Sequence, residues 1–326
     1  MNLLVTGGAG YIGSAVTRRL LASGHAVVVV DDLSSGHRED VRGADLVVAD
    51  IADAAAIDAL LSSRRIEGIV HLAASCQVGE SVQHPEDYYR NNLTKSLVLL
   101  ERACRSGVGR FVFSSTAAVY GEPERLPLQE DHATRPTNPY GDTKLAFERA
   151  LLWHGEAHGM ASVCLRYFNA AGASLDGSVG ERHDPETHLV PNVLQAARDG
   201  RPVPVFGTDY PTPDGTAVRD YIHIEDLAEA HRLAIDRPAD RGRQAIYNLG
   251  NGEGFSVLQV VETARRVTGR PIAVLPSPRR PGDPASLVAS SDKARSELPW
   301  SPRHSRLEDI LETAWAYMRK ERRATV

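Results

Sequence analysis

The feature that most constrains the fold of this chain is a glycine-rich turn close to its start. The apolar stretch Leu3 to Thr6 runs directly into TGGAGYIG (6–13), and a helical pattern of apolar residues follows. In such a turn, backbone amides can approach a pyrophosphate at the positive end of the helix. The spacing Gly7, Gly10, Gly13 is slightly longer than the G-x-G-x-x-G of many dehydrogenases. The turn therefore predicts a dinucleotide-binding unit.

Acidic residues at the ends of the next two predicted strands support this interpretation. Asp31 and Asp32 end the second strand, about twenty residues after Gly13, where a carboxylate binds the adenosine ribose hydroxyls. A carboxylate there repels a 2′-phosphate, which favours NAD over NADP. Asp50 ends the third strand and is expected either to reach the adenine or to cap the following helix.

The first half of the chain alternates short apolar runs with helical patterns. Runs that are apolar at every position, separated by helices, predict a Rossmann-type, doubly wound α/β domain with a parallel sheet. The predicted strands are Leu3 to Thr6, Ala26 to Asp31, Leu46 to Ala49, Gly68 to Leu72, Arg110 to Ser114 and Ala161 to Tyr167. Prolines interrupt the pattern after about residue 170. We predict an NAD-binding domain over 1–170 and a smaller α/β substrate domain over 171–326, with some segments returning to the first.

Composition excludes several classes of partner. The chain has 326 residues with a net charge of −5, which provides no basic field for nucleic acid. Its three cysteines are far apart and lack C-x-x-C spacing, which indicates reduced thiols in the cytoplasm. No apolar run near the start is long enough for a membrane span or a signal peptide. We therefore expect a cytoplasmic protein with no membrane partner.

Two later motifs predict acid–base chemistry. In NPYGDTKL, Tyr140 and Lys144 are four residues apart and share one face of a helix. The ammonium, with the positive charge of an oxidised nicotinamide, is expected to lower the pKa of the phenol and make it a general base. A predicted strand ends in Ser114, Ser115 and Thr116, and hydroxyls at such strand ends face the ligand crevice. One of them can hold the substrate oxygen that Tyr140 deprotonates.

Taken together, the motifs resemble the extended short-chain dehydrogenase/reductase family, and within it the enzymes that epimerise C4 of nucleotide sugars. The likeness covers nearly the whole chain. The matching motifs, in order, are TGGAGYIG, HLAA (71–74), VGESV (78–82), YYRNN (88–92), SSTAAVYG (114–121), NPYGDTKL (138–145), LRYFNAAGA (165–173), FGTDYPTPDGTAVRDYIH (206–223) and RRPGDPASLVAS (279–290). The resemblance implies a homodimer that holds NAD and interconverts UDP-glucose and UDP-galactose.

The resemblance also implies residue roles. Tyr140 is the catalytic base, Lys144 is its electrostatic partner and a ligand of the nicotinamide ribose, and Thr116 binds the sugar 4-oxygen. The implied cofactor-binding residues are Gly7, Gly10, Tyr11, Ile12, Gly13, Asp31, Asp32, Asp50, Ile51, Leu72, Ala73, Ala74, Asn91, Ser114, Ser115, Tyr140, Lys144 and Tyr167. The implied substrate-binding residues are Thr116, Tyr140, Asn169, Leu189, Phe206, Arg219, Arg280, Asp283 and Leu287. The two arginines would neutralise the diphosphate, and Asp283 would bind the uridine ribose.

The implied reaction conserves redox state. Tyr140 takes the C4 hydroxyl proton while C4 passes hydride to NAD, which leaves a 4-keto sugar and bound NADH. The keto ring then turns and regains the hydride on its other face. Configuration at C4 is inverted, and the cofactor stays bound throughout.

Three positions depart from relatives. Cys76 stands where some have lysine, and His188 where some have an asparagine that contacts the nucleotide. Leu287 occupies a position where a bulky aromatic residue tends to exclude N-acetylated sugars and a small residue admits them. Leucine is intermediate, so a 4-epimerase of UDP-N-acetylhexosamine, UDP-pentose or UDP-glucuronate stays open as an alternative.

Other interpretations are weaker. Nucleotide-sugar dehydratases and decarboxylases need acidic side chains after the strand-end hydroxyl, where Ala117 and Ala118 stand. A cofactor-binding regulator would have no use for the catalytic tyrosine, lysine and threonine together. The stretch GERHDPETH (180–188) contains Glu181, His183, Asp184, Glu186 and His188, but it includes a proline and lacks regular ligand spacing. It is predicted to be a polar loop beside the pocket, with no metal.

Overall fold

A seven-stranded parallel sheet forms the centre of the first part of the molecule. The computed structural model describes residues 1–280, 283–304 and 306–324. With strands numbered along the chain, this sheet contains β1 (Asn2–Thr6), β2 (Ala26–Asp31), β3 (Asp45–Val48), β4 (Gly68–His71), β5 (Arg110–Thr116), β6 (Ala161–Tyr167) and β10 (Gln244–Leu249). Their order is β10-β6-β5-β4-β1-β2-β3. The predicted doubly wound α/β fold is confirmed.

The remaining strands belong to the second part of the molecule. They are β7 (Asn169–Ala171), β8 (Val203–Phe206), β9 (Val218–His223), β11 (Gly254–Ser256), β12 (Val274–Ser277) and β13 (Ser286–Leu287). Strand β9 pairs with β7, β11 and β13, while β8 pairs with β12. Because β7 begins just after β6 ends, the β7–β9 pairing joins the second sheet to the carboxyl edge of the first.

Helices cover both faces of the central sheet and build the second core. They are α1 (Tyr11–Ala22), α2 (Ala54–Ser63), α3 (Val78–Gln83), α4 (Pro85–Tyr88), α5 (Lys95–Arg105), α6 (Pro139–His158), α7 (Leu189–Asp199), α8 (Ile224–Asp236), α9 (Val257–Thr268), α10 (Asp292–Glu297) and α11 (Leu307–Ala324). Short 3₁₀ turns occupy Arg38–Asp40 and Ala117–Tyr120, and one π-helical turn, Tyr89–Thr94, joins α4 to α5. No helix among the described residues has the length and apolar content needed to cross a bilayer.

Alternation along the buried strands separates two apolar cores. In β1, Leu3 and Val5 pack in the core on the α1 and α8 side, and Leu4 packs in the core on the α2, α5 and α6 side. Successive side chains of a strand point to opposite faces, so a strand covered on both faces is apolar throughout. A third core joins α7, α9 and α11.

Local signals set the start and end of α6, the helix that carries the predicted base. The Asn138 side chain caps it by accepting from the Gly141 amide at 2.9 Å, and Pro139 occupies the first turn. Gly159 ends the helix in the left-handed conformation, with φ of 76°. The sequence NPYG thereby places Tyr140 in the first turn, next to the end of β5.

The seventh strand of the sheet was not among the predicted strands. Gln244–Leu249 lies well after residue 170, yet it pairs in parallel with β6. Its position is set by pairing with β6, a distant strand, rather than by a local pattern. The domain boundary at residue 170 stays a prediction.

Candidate active site

The glycine turn is packed too tightly for side chains. Gly7 has φ of +71°, and a Cβ on Gly13 would lie 2.0 Å from the Gly7 carbonyl oxygen. A Cβ on Gly7 would lie 2.6 Å from the amide nitrogen of Ala73, in the loop after β4. Gly10 is the N-cap of α1 and carries no side chain to occupy the amides of the first turn. The turn thus has the bare backbone and helix start that suit a pyrophosphate, as NAD requires.

The acidic pair lies beside this turn. Asp31 is 8% exposed, and its carboxylate accepts from the amides of Ala9 and Leu33, each at 2.9 Å. Burial raises the pKa of the Asp31 carboxyl despite these two hydrogen bonds. Asp32 is exposed and accepts from the amide and hydroxyl of Ser34. Both carboxylates lie at the carboxyl end of β2, where the ribose site is predicted.

Asp50 is an ion-pair partner and does not cap α2. Its carboxylate accepts from Lys95 Nζ at 2.6 Å and from the Ala52 amide at 2.8 Å. Burial opposes ionisation, but the Lys95 bond and the backbone bond hold the pKa of the Asp50 carboxyl below its usual value. Asp53 is the N-cap instead, so the capping interpretation of Asp50 is wrong. Its predicted adenine contact, and that of the adjacent buried Ile51, stay predictions.

The loop after β4 adjoins the glycine turn. The Leu72 amide donates to the Thr6 carbonyl at 3.1 Å, and Ala73 and Ala74 follow it at the same edge of the sheet. Asn91, from the π-helical turn, donates to the Ser75 hydroxyl at 3.0 Å. The HLAA and YYRNN motifs are therefore brought together beside the predicted cofactor site.

Strand alternation divides the three hydroxyls at the end of β5. The Ser114 hydroxyl is hydrogen-bonded to the Tyr167 phenol, and Thr116 shares the same face of the strand. Ser115 is fully buried on the other face, where it donates to Glu148, a partner of Arg166 in a buried ion pair. The expectation that Ser115 flanks the cofactor side is thus wrong for its side chain, because one residue along a strand reverses the direction.

Tyr140 and Thr116 form the centre of the site. The Thr116 hydroxyl, which accepts from the Ala118 amide at 3.2 Å, lies beside the Tyr140 phenol and favours its ionised form. Lys144, one helical turn further on, is 3% exposed, and its Nζ donates to the Ser114 carbonyl at 3.0 Å. Burial lowers the pKa of Lys144 to about 8. Within the described part of the chain, no carboxylate pairs with this buried ammonium.

The phenol of Tyr140 is less acidic in the chain alone than predicted. Burial raises its pKa above the ordinary tyrosine value, and the neighbouring Thr116 hydroxyl opposes this. The Lys144 Nζ lies 5.9 Å from the centre of the Tyr140 ring and is directed to a backbone carbonyl. The ammonium by itself therefore does not make the phenol acidic. Of the two positive charges predicted to lower the phenol pKa, that of an oxidised nicotinamide is the one that remains.

The predicted sugar-nucleotide residues form a second group around β9. Arg219 is ion-paired with Asp283, and the Arg280 guanidinium lies 4.1 Å above the centre of the Phe206 ring. Asn169, at the start of β7, donates to the Asp220 carbonyl of β9 at 2.8 Å. Arg219 also shares a register position with Leu287 of β13, and Leu189 begins α7. Cationic and aromatic side chains thus lie together where the diphosphate and the nucleoside of the sugar nucleotide are predicted to bind.

Other contacts at the site were not predicted. The Tyr88 ring packs edge-on against Tyr140, with ring centres 6.4 Å apart, and its hydroxyl donates to the Glu80 carboxylate at 2.8 Å. The Tyr11 hydroxyl donates to the Gly172 carbonyl at 2.7 Å, which links the glycine turn to the segment after β7. Tyr88 lies in YYRNN and Glu80 in VGESV, so the motifs themselves are the signal that could have identified both.

Comparisons with known proteins agree with this geometry. The model of the NAD dependent epimerase/dehydratase family matches residues 3–250. The UDP-glucose 4-epimerase of Halalkalibacterium halodurans is 50% identical over 316 residues, which cover 97% of this chain and 95% of the relative.

Solved structures are equally similar. The crystal structure of UDP-glucose 4-epimerase from Brucella ovis in complex with NAD has a TM-score of 0.94 and 44% identity, and the match covers 97% of this chain and 98% of that one. The Bifidobacterium longum UDP-glucose 4-epimerase in complex with NAD⁺ and UDP has a TM-score of 0.94 and 37% identity, with 99% of each chain covered. This chain belongs to the NAD dependent epimerase/dehydratase family.

Proposed function

We propose that this chain interconverts UDP-glucose and UDP-galactose by inverting C4 of the sugar, with NAD as its resident cofactor. The observation that carries the proposal is the placement of the Thr116 hydroxyl beside the Tyr140 phenol, one helical turn from the buried Lys144. This group combines a proton-transfer group, a hydroxyl for the substrate oxygen and a cation at the carboxyl edge of a dinucleotide-binding sheet. Proteins that share the fold and half the sequence are UDP-glucose 4-epimerases.

The chain's own residues fit NAD. The glycine turn would hold the pyrophosphate, Asp31 and Asp32 the adenosine ribose, and Lys144 the nicotinamide ribose. A buried ammonium that lacks a carboxylate partner is costly, and ribose hydroxyls would supply it with acceptors. When bound, NAD would supply a reversible acceptor for the hydride of the sugar C4.

The proton chemistry falls to the chain. Thr116 would position the sugar 4-oxygen against the Tyr140 phenolate, which removes the C4 hydroxyl proton. The same phenol returns a proton to the 4-keto oxygen after the sugar ring has turned, so the group ends each cycle as it began.

The sugar nucleotide would be held through its UDP part. Arg219 and Arg280 would neutralise the diphosphate. The Asp283 carboxylate would give up its ion pair with Arg219 and bind the uridine ribose instead. Phe206 offers an apolar surface, and Asn169 and Leu189 would line the sugar side. Anchoring the nucleotide while leaving the ring free to turn is what inversion at C4 requires, because both faces of the ring must reach one cofactor.

The function is tested by incubating the purified chain with UDP-galactose in the absence of added NAD and separating the products. Formation of UDP-glucose to the equilibrium ratio is the expected result. Parallel incubations contain UDP-N-acetylgalactosamine, UDP-arabinose or UDP-glucuronate. Faster conversion of one of these would move the assignment to that 4-epimerase, and conversion of none would reject the epimerase proposal.

We further infer a homodimer in the cytoplasm as the working form. The support for a dimer is the family resemblance together with Leu152 and Trp153 of α6, which are 36% and 67% exposed. Large apolar side chains side by side on a surface helix are typical of an interaction site. The support for the cytoplasm is the free state of the cysteines, of which Cys76 is exposed and Cys164 is buried.

A further inference from the structure

A second polar cluster lies in the segment between β7 and α7. Its members, which we call the His–Glu cluster, are Glu181, His183, Glu186 and His188. One nitrogen or carboxylate oxygen from each lies within 4.8 Å of those from all the others. The sequence predicted only a polar loop here, because the four residues have no regular spacing. Folding of the loop brings them together regardless of spacing.

The cluster contains two carboxylates that are almost completely buried. The side chains of Glu181 and Glu186 are 6% and 5% exposed, and an oxygen of each lies near the same nitrogen, His183 Nδ1. Neighbouring buried carboxylates are unfavourable unless a positive charge compensates them. His183 Nδ1 and His188 Nδ1 both lie against the same oxygen of Glu181, each as an ion-pair partner. In the chain alone the two imidazoles supply that charge: Glu181 and Glu186 raise the pKa of His183 to about 10, and the pKa of His188 is raised as well.

The geometry around His183 is that of atoms arranged about a common centre. Its Nδ1 is 3.2 Å from a Glu181 oxygen and 3.7 Å from a Glu186 oxygen. Nevertheless, this buried nitrogen makes no hydrogen bond of acceptable geometry. Ligands at about 2.1 Å from a tetrahedral ion are separated by roughly 3.4 Å, which these two distances bracket.

The surrounding backbone already orients one of the carboxylates. Glu186 Oε1 accepts from the amides of Thr187 and His188, at 2.8 and 2.9 Å. Hydrogen bonds of this kind fix the direction of a metal-binding carboxylate and are a regular part of protein metal sites. His188 is also the N-cap residue of α7, so the cluster lies directly against the start of that helix.

We propose that the His–Glu cluster binds one divalent cation, and that the cation is Zn²⁺. Two imidazole nitrogens and two carboxylate oxygens within tetrahedral reach are the donor set that zinc prefers, whereas Mg²⁺ and Ca²⁺ prefer oxygen ligands alone. A dication would displace the imidazole protons, and with two neutral imidazoles and two carboxylates the occupied site would be electrically neutral. The inference concerns metal binding and does not depend on the reaction that the chain catalyses.

A bound ion would hold the segment from Glu181 to His188 against the start of α7. Leu189, the first residue of α7, is a proposed substrate contact, and Arg182 ties the same segment to Asp40 of the first part of the molecule. Because Glu181 and His188 are the first and last residues of the cluster, one cation would fix both ends of this segment. Four protein ligands leave no open position, which makes the site a structural one.

The test is a zinc titration of the purified full chain. After treatment with a chelator and its removal, ZnCl₂ is added and binding is followed by calorimetry, with metal content checked by mass spectrometry. We expect one Zn²⁺ per chain and a higher Tm when it is bound. Replacing Zn²⁺ with Co²⁺ should give the intense visible bands of a tetrahedral ion, which requires no variant.

Variants identify the ligands. Changes in the surroundings of metal ligands weaken binding by about 10–100-fold, and loss of a ligand should weaken it no less. We therefore expect His183→Gln and, separately, Glu186→Gln to weaken Zn²⁺ binding at least about tenfold, with far-ultraviolet circular dichroism confirming that each variant folds. The matched control is the exposed group His84, Glu86 and Asp87. His84→Gln combined with Glu86→Gln should leave the affinity unchanged.

Several outcomes would overturn the proposal. They are failure of the wild type to bind stoichiometric Zn²⁺, equal affinity in wild type and both cluster variants, loss of binding in the control, and the faint spectrum of octahedral Co²⁺. Loss of epimerase activity would not bear on it, because the readouts are stoichiometry, Tm and a spectrum. Conversely, an enzyme that is active but binds no Zn²⁺ in the titration would reject this site and leave the proposed function in place.

Discussion

The Thr116 hydroxyl at the end of β5 lies beside the Tyr140 phenol in the first turn of α6 and favours the ionised form of that phenol. Tyr140→Phe removes the proton-transfer group and leaves the ring and its packing in place. General acid–base catalysis contributes roughly 10²–10⁴-fold, so turnover of UDP-galactose should fall by at least about a hundredfold. Bound NAD, measured after denaturation, should be retained.

The matched control for this prediction is Tyr89→Phe. Tyr89 is 39% exposed, and its hydroxyl binds Asp142 at the surface. The Tyr89→Phe variant should turn over UDP-galactose at the wild-type rate. Near-normal turnover by Tyr140→Phe would show that another group carries the proton.

Gly13→Ala should disrupt the cofactor site. The new Cβ would lie 2.0 Å from the Gly7 carbonyl oxygen, and the contact is with backbone, which cannot rotate away. Forced packing of this kind typically costs about 1–3 kcal/mol of stability. We expect a lower Tm and a purified protein depleted of NAD. Gly79→Ala is the control, because nothing lies within 4 Å of its Cβ, and a normal NAD content in Gly13→Ala would contradict the proposed pyrophosphate site.

Arg219→Met should weaken substrate binding selectively. A hydrogen bond to a charged group contributes about 1.5–3 kcal/mol, so loss of the contact with the diphosphate should raise KM for UDP-galactose by at least about tenfold. NAD content should not change, because Arg219 lies in the group around β9 and is paired with Asp283. Arg279→Met, which removes an exposed partner of Asp209, is the control. An unchanged KM in Arg219→Met would place the diphosphate elsewhere.

Lys144 should make the stability of the NAD-free chain depend on pH. Burial lowers its pKa from 10.5 to about 8, so between these values the unfolded chain binds a proton that the folded chain does not. The free energy of unfolding therefore rises with pH over this window, by about 3 kcal/mol in total. The free energy of unfolding is measured in urea for wild type and Lys144→Met from about pH 7 to 10.5. That of wild type should rise with pH relative to that of the variant.

The control for the lysine prediction is Lys320→Met, which removes an exposed lysine. Its stability should change with pH as that of wild type does. Parallel pH dependence in wild type and Lys144→Met would mean that the buried lysine is not responsible.

Trp153→Glu should convert the proposed dimer into a monomer. Trp153 and Leu152 present apolar surface on α6, and a carboxylate in a buried interface is strongly unfavourable. Sedimentation velocity of wild type should give the mass of a dimer, and that of the variant the mass of one chain. Leu175→Glu, at a position 61% exposed elsewhere, is the control. A monomeric wild type, or a dimeric Trp153→Glu, would reject the dimer.

The order of elements in the first part of the fold was readable in the sequence. Strands β1, β2 and β6 were predicted to within one residue at each end, because a parallel strand buried on both faces is apolar at every position. The glycine turn and the Asn138–Pro139 start of α6 depend on contacts within a few residues. Local physical chemistry is sufficient in both cases.

The direction of side chains was harder to predict. Ser114, Ser115 and Thr116 were predicted together, but strand alternation sends Ser115 to a buried ion pair. Strand β10 joins the sheet through pairing with a strand far back in the chain. Neither feature follows from composition or spacing, since each depends on which distant segment lies alongside.

The sequence by itself determined that this chain holds a dinucleotide at the carboxyl edge of a parallel sheet and places Tyr140 one helical turn from Lys144, since these features rest on residues near one another in the chain. Only the tertiary structure decided how burial shifts the pKa of these two groups, which hydroxyl meets the phenol, and that Glu181, His183, Glu186 and His188 meet around one centre. The physical reason is that desolvation and charge proximity depend on distances in space, and chain spacing does not set those distances once loops and strands have packed.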